Sequence, residues 1–444
     1  MQRLLADYGM VLVLAGLCVL FSLLTLKHQV PEGPAAAAEL ARQVEERIAP
    51  SDTVLAVGAA NKETATLAEQ VGAALKSAGY ARAQVVIGTP RELRLALDEI
   101  VQQGQTCAAI VTAGDVVRWP LIEQIPALYP TLTDLQLLTP EARLWPDFLK
   151  RTNLLAIVDR IVVIAVIAIG MTMVIITGGI DLSVGSLIAL SAVIATLIMR
   201  QLGGPEASAW SVLWGFAAGT LACGVVGGVG GWIVAQFKVA PFITTLAIMM
   251  MARGMAFLLT GGFSIYLVPP ALTWLGQGKS LGVPNTVILL VVLYVLAHIF
   301  MAHTRLGRYI YAVGGNEEAS RLSGVPVRFV IVFVYVVSAL SAGLGGCIQA
   351  SQINTGTPNM GTMYELYVIA AVVVGGTSLA GGSGRILGTL IGAFIISVIQ
   401  NGMNLLGMES YTQQVVLGGV ILGAVLLDKV RSDRSLTRFL RGRA

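Results

Sequence analysis

The residues with the clearest chemical potential lie in Thr177-Gly-Gly-Ile-Asp-Leu-Ser-Val-Gly-Ser186, between two apolar runs. Asp181 and Ser183 stand there at or near membrane depth, where a carboxylate is costly and marks a functional site by default. The glycines permit backbone turns and close helix approach. A variant recurs at Gly375-Gly-Thr-Ser-Leu-Ala-Gly-Gly-Ser383, and both copies read G-G-x-x-L-x-x-G-S. Interrupted apolar segments at matching places in two halves of a chain point to a transport path. The plainer reading is helix packing, with Asp181 or Ser183 capping the next helix.

Other polar residues stand in apolar surroundings. Arg253 interrupts Leu246–Leu259, and Glu365 opens a later apolar run. The two can pair, which lowers the cost of both, or Arg253 can snorkel alone to the interface. Asn401 and Asn404, one helical turn apart, can bond a polyol or a neighbouring helix. Asp181, Ser183, Arg253, Glu365, Asn401 and Asn404 are therefore the candidate path residues. A polar loop, Ala302–Arg328, centres on Gly314-Gly-Asn-Glu-Glu-Ala-Ser-Arg-Leu-Ser-Gly324. Asn316 can cap a short helix there, Glu317 and Glu318 suit its first turn, and Gly324 ends it. Such a helix is a handle for a partner, or merely a solvated connector. No G-x-x-x-x-G-K-[ST] occurs, because Gly278-Lys-Ser280 lacks the first glycine, so no ATP site is expected on this chain. Three histidines and four scattered cysteines give no metal or disulfide spacing. No cofactor is expected.

Composition defines what must position these residues. Of 444 residues, 55% are hydrophobic and only 12% charged, and mean hydropathy is +0.78. Soluble chains carry roughly 25% charged residues, so the expectation is an α-helical polytopic membrane protein of about ten transmembrane helices. Apolar spans fall at about 8–26, 154–177, 184–200, 210–235, 241–260, 286–304, 328–350, 365–379, 386–405 and 412–428. Most approach the roughly 20 residues of a bilayer crossing; 365–379 is short enough to be broken or re-entrant. The first span reads as a retained helix, since no small-residue cleavage site follows it.

Between the first two spans the composition changes. Thr53–Ala60 reads as a buried strand, and Asn61 caps a helix over Lys62–Ala78. Gln84–Gly88 reads as a second strand, Pro90 opens a second helix that ends at Gly104, and Cys107–Thr112 is a third strand. Glu39–Ile48 reads as a preceding helix. This alternation predicts a small α/β domain with a parallel sheet of three strands; Val116–Pro146 shows no assignable pattern. The expected organisation is a first helix at 1–27, an extracytoplasmic insert at 28–150, a membrane core of nine further spans at 151–430, and a basic cytoplasmic tail at 431–444.

Charge sets the orientation. With the N-terminus inside, the short inner loops hold Lys238, Arg305, Arg308, Arg321, Arg328 and Arg385, and the inner tail is basic. The short outer loops hold little more than Arg200 and Lys279. Both termini are therefore expected in the cytoplasm and the insert outside. The basic charge is read as membrane orientation, and no nucleic acid partner is expected.

The segments Gly178–Ser186, Gly314–Gly324 and Gly375–Gly392, with Asn401-Gly-Met-Asn-Leu-Leu-Gly407, together resemble the permease subunits of bacterial ribose-type sugar ABC importers. The resemblance covers the first helix and about 147–430. It implies a permease dimer, homodimer or paralogue pair, in the bacterial cytoplasmic membrane, carrying pentoses, hexoses or related small polyols. Its implied partners are membrane lipid, a periplasmic sugar-binding protein and a cytoplasmic ABC ATPase that uses the ATP. It also implies that Gly315, Asn316, Glu317, Glu318, Arg321, Leu322 and Gly324 form the loop coupled to that ATPase. The chain departs from the pattern in one respect: such permeases pass from first to second helix by a short loop, whereas over a hundred residues intervene here. The insert is expected to be a platform for the binding protein, with a receptor built across the dimer as runner-up. A secondary transporter, a channel and a receptor with a sensor domain are the alternatives from other classes.

Overall fold

The computed structural model describes residues 2–31, 33–132 and 134–432. The chain divides into two units: one spans Leu26–Pro146, and the other joins the chain before Leu26 to the chain after Pro146. After the first helix, α1 (Gln2–Leu24), come β1 (Leu26–Gln29), α2 (Gly33–Arg47), β2 (Thr53–Ala59), α3 (Lys62–Ser77) and β3 (Ala83–Gly88). Next are α4 (Pro90–Gln102), β4 (Cys107–Val111), α5 (Pro120–Leu128), β5 (Gln136–Leu138) and β6 (Arg143–Pro146).

The Leu26–Pro146 unit is a parallel sheet of strand order β3-β2-β4-β5. Alternate residues of β2 face opposite sides, as a pleated strand requires. Val54 and Ala56 pack with Leu40, Val44, Val71 and Leu75, from α2 and α3. Leu55 and Val57 pack with Leu93, Leu97, Ile100 and Ile125, from α4 and α5. Asn61 Oδ1 accepts from Thr64 N (3.0 Å), capping α3, and Glu92 Oε2 accepts from Thr89 N (2.8 Å) at the start of α4. The sheet has one strand more than the sequence suggests, because β5 is only three residues long and carries no periodicity. Likewise β1 and β6 form an antiparallel ribbon, Leu26 opposite Pro146.

Cys107 opens β4 at 2% exposure. Burial pushes its thiol up to about 12, so almost no thiolate exists at neutral pH. Peptide-resolved alkylation at pH 7.5 is expected to leave Cys107 unmodified until denaturant unfolds the sheet. Rapid labelling of the native protein would show that the sheet opens locally.

The second unit continues with α6 (Arg151–Ile176), α7 (Val184–Gln201), α8 (Ala209–Phe237), α9 (Pro241–Thr260) and α10 (Thr273–Gly276). A two-residue ribbon, β7 (Lys279–Ser280) and β8 (Val283–Pro284), leads to α11 (Asn285–His303). Then follow α12 (Arg305–Gly315), α13 (Glu317–Leu322), α14 (Val327–Ile353), α15 (Tyr364–Val374), α16 (Ile386–Leu405) and α17 (Ser410–Ser432). Among the described residues, α6, α7, α8, α9, α11, α14 and α16 are long and apolar enough to cross a membrane. Gly9–Leu24, Tyr364–Val374 and Ser410–Leu426 are shorter apolar helices, at the other three places where the sequence shows apolar runs. The expected basic tail lies outside the described residues beyond Ser432.

The centre of this unit is α14, packed on α6, α7 and α8. A stripe of small residues lets α8 approach its neighbours closely. A Cβ at Gly219 would come within 2.6 Å of Ser191 O, and one at Gly227 within 2.3 Å of Ala339 Cβ. At one end of the bundle the chain leaves and returns at a single seam. Asp147 N donates to Thr25 O (3.0 Å) and Phe148 N to Thr25 Oγ1 (3.1 Å). Phe21 stacks on Phe148 with ring centroids 6.1 Å apart. This is termed the Asp147 end; α12 and α13 lie at the opposite, Asn316 end.

Candidate functional site

Helix α6 stops at Ile176, and Gly178 (φ +79°) turns the chain out of it. Residues 177–183 then run without helix back into the bundle. Asp181 is 1% exposed. Its Oδ1 accepts from Ser183 N (3.0 Å) and Ser183 Oγ (2.6 Å), and its Oδ2 from Ser338 Oγ (2.8 Å). Three donors thus compensate a carboxylate that is otherwise shut away from water. Ser338 sits in the middle of the 27-residue α14, so Asp181 lies level with the middle of the bundle. Helix α7 starts there and runs only to the Asp147 end.

A second broken helix mirrors the first. Helix α14 ends at the Asp147 end with Asn354 in the left-handed region (φ 53°). Residues 354–363 turn back irregularly through Gly361 (φ +67°) and Met363 (φ 69°). Helix α15, of 11 residues, covers only about 16 Å, half of a roughly 30 Å hydrocarbon core. It runs on to the Asn316 end. The starts of α7 and α15 touch: a Cβ on Gly361 would lie 2.2 Å from Gly185 O, and one on Gly185 2.1 Å from Glu365 Oε2. Only glycine admits this crossing.

Arg253 of α9 ties the crossing together. Its Nη1 donates to Pro358 O (2.7 Å) and Met360 O (2.6 Å), and its Nη2 reaches Gly185 O at 3.4 Å. The guanidinium therefore neither snorkels alone nor forms a direct ion pair with Glu365 among the described residues. It satisfies carbonyls that the irregular backbone leaves open. Glu365 stands in the first turn of α15 and against the start of α7, where the positive ends of two helix dipoles favour a carboxylate. A carboxylate, a guanidinium and two helix N-termini thus converge at mid-bundle, the arrangement by which discontinuous helices build transport sites.

The three glycine motifs meet at the Asn316 end. Gly382 N donates to Ile176 O (2.8 Å), and Tyr311 Oη to Gly384 O (2.9 Å). Gly314 fits against both Ile176 O and Gly382 N. Next to this joint, Asn316 Oδ1 accepts from Ala319 N (2.9 Å) and caps α13. Gly324 (φ +82°) ends that turn. Glu318 pairs with Arg321, and Glu317 with Lys238 from the end of α8. Leu322 is 81% exposed.

Asn401 and Asn404 are not brought to the crossing. Asn401 exchanges two amide hydrogen bonds with Asn153 of α6 (2.8 and 3.0 Å), and Asn404 Oδ1 accepts from Gln413 of α17 (2.9 Å). Sequence reasoning missed Ser338 and its neighbour Tyr335, whose buried hydroxyl lies beside Gly179 with no hydrogen-bond partner among the described residues. The available signal was a polar pair at i, i+3 inside an apolar span.

The family described as "Branched-chain amino acid transport system / permease component" matches residues 153–425. The ribose import permease protein of Escherichia coli (strain K12) is 46% identical over 288 residues, 64% of this chain and 87% of that relative. That of Bacillus subtilis (strain 168) is 42% identical over 290 residues, 65% of this chain and 88% of the relative. The L-arabinose ABC transporter permease of Azospirillum brasilense is 35% identical over 289 residues, 65% and 83% of the two chains. No solved structure matches.

Proposed function

The chain belongs to this transport permease family, and from that premise we propose that it is the membrane-spanning subunit of an ABC importer for a monosaccharide. The observation that carries the reading is the crossing of two broken helices, Gly185 against Gly361, with Arg253 and Glu365 beside it. Relatives named for ribose, arabinose and allose support a pentose or hexose as cargo. ATP is hydrolysed on a separate ABC ATPase, and a sugar-binding protein delivers the cargo. A second copy or paralogue of the permease completes the membrane part. Asp181 and Ser183 shape the path by fixing the entry into α7; Arg253 and Glu365 line its midpoint. Both termini and the Asn316 end lie in the cytoplasm of the bacterial inner membrane, as the lysine and arginine bias of the short loops supports. The Leu26–Pro146 unit then lies outside, as a platform for the binding protein.

The test is labelled-sugar uptake into proteoliposomes that hold the permease, its ATPase and its binding protein. ATP-dependent uptake is expected. Uptake by the permease alone on a proton or sodium gradient overturns the reading.

Helix α13 is the part seated on the ATPase. Its exposed Leu322 is the anchor, and the short helix is set by its cap and by the joint behind it. The surface pair Glu317–Lys238 contributes roughly 0–1 kcal/mol to folding, so changes here leave the permease intact. Leu322→Asp is expected to release the ATPase during co-purification and to cut uptake about tenfold, as loss of roughly 1.4 kcal/mol of docking would. Normal co-purification and uptake in that variant would remove α13 from the interface.

A further inference from the structure

A polar pocket of about 420 Å³ lies towards the Asp147 end, between the start of α6, the α10 turn, the end of α14 and the start of α15. Asp159, Arg160, Gln277, Gln352 and Tyr364 line it. None of these residues belongs to the crossing at Arg253, although Tyr364 adjoins Glu365. The volume falls within the roughly 300–1,000 Å³ of small-molecule sites.

The pocket holds unmet hydrogen-bonding capacity. Gln277 Nε2 donates to Gln352 O (2.9 Å), Gln352 Nε2 to Asp159 O (3.0 Å), and Gln349 Nε2 to Tyr364 Oη (3.2 Å). These bonds fix the side chains in place. Yet Asp159 Oδ1 in this lining is buried and accepts from nothing among the described residues, as does Gln349 Oε1 in the layer bonded to Tyr364. Buried acceptors of this kind are rare unless something else fills them. Both call for donors. Asp159 and Arg160 are also of opposite charge, so the lining as a whole favours neither anions nor cations. A ligand rich in hydroxyl donors and without net charge fits this description, which is that of a monosaccharide.

We infer that this pocket is an entry subsite that receives a neutral sugar before it reaches the crossing at Gly185, Arg253 and Glu365. The inference rests on the importer reading and adds a place to it. Asp159 accepts a hydroxyl of the sugar, and Gln277, Gln352 and Tyr364 supply the rest of the polar wall. Affinity here is weak by construction, because the pocket is open and the sugar must leave it inward.

The test uses the complete complex of permease, ATPase and binding protein, with labelled D-ribose, L-arabinose and D-allose as probes. Asp159→Asn keeps the size of the side chain and removes its charge; Gln352→Leu removes the amide. Each is expected to lower the sugar moved per ATP hydrolysed by about tenfold, the effect of stripping the charge from one hydrogen bond at Asp159 or of losing a buried one at Gln352. Asp159→Asn is also expected to change the ranking of the three sugars, which a purely structural residue would not do. An unchanged ratio and ranking, whether total flux is normal or falls in step with ATP turnover, overturns the subsite and leaves the importer reading standing. A wild-type complex that moves none of the three sugars with ATP refutes the importer reading, and the subsite with it.

Discussion

Gly314→Ala is expected to destroy the joint at the Asn316 end, whereas Gly315→Ala, one residue on, leaves the fold intact. Both glycines lie in the last turn of α12. Helix propensity alone favours alanine at each by about 1 kcal/mol. Packing decides the outcome. A Cβ on Gly314 would stand 1.7 Å from Ile176 O and 2.7 Å from Gly382 N, while one on Gly315 meets nothing within 4 Å. The atoms opposing Gly314 are backbone, so no rotamer change relieves them, and Gly382 N must give up its bond to Ile176 O. Overpacking of this kind costs about 3 kcal/mol or more, which exceeds the gain in propensity. Thermal unfolding of the purified permease should show a clear loss of stability for Gly314→Ala and none for Gly315→Ala. Equal melting of the two variants would mean that the three glycine motifs do not meet as described.

The second large effect is expected at Arg253. In Arg253→Met the side chain keeps its apolar stem but leaves Pro358 O and Met360 O without their donor. Hydrogen bonds to charged groups contribute roughly 1.5–3 kcal/mol each, and the low end is appropriate for a half-buried guanidinium, giving about 3 kcal/mol for the pair. The loss falls on 354–363, the segment that delivers Glu365 to the start of α7. Sugar uptake should therefore drop at least tenfold, which requires only about 1.4 kcal/mol of the expected change. Arg253→Lys should recover part of it, because an ammonium is a point charge and cannot span both carbonyls as the planar guanidinium does. Wild-type uptake and melting in Arg253→Met would remove the residue from the site.

What the sequence made legible follows from what each feature depends on. The short α15 was readable, because the run after Glu365 is too short to span, but the recurring G-G-x-x-L-x-x-G-S pointed to the wrong second break: its second copy follows α15 and joins Ile176 and Gly314 at the Asn316 end, and the segment that meets the start of α7 is 354–363. The cap on α13 was readable because Asn316, Glu317 and Glu318 act on their own neighbours. The partners of Arg253 were not, since they are backbone carbonyls of Pro358 and Met360, and a carbonyl carries no residue identity. Ser338 was hidden for a related reason: one hydroxyl in an apolar span reads as packing until Asp181 is placed opposite it. Asp159 and Arg160 were absorbed into an apolar run, and only the structure sets them beside Gln352 and Tyr364. Strands β5 and β6, of three and four residues, are too short for any period to show.

The seam between Thr25 and Asp147 bears on how such a chain is inherited and made. Because Asp147 N bonds directly to Thr25 O, the permease closes on itself at this point whatever lies between. A gene segment can be gained, lost or exchanged there without shifting α1 against α16, provided that the guest brings its two ends together as β1 and β6 do. The cost falls on the ribosome instead. About 120 residues separate the two sides of the seam, so at roughly 5–20 residues per second α1 waits some 6–24 s for α6 to be synthesised. During that interval a lone apolar helix and the growing Leu26–Pro146 unit are all that exists of the protein, and that unit, with its own sheet and core, can fold before the helix has any neighbour to pack against.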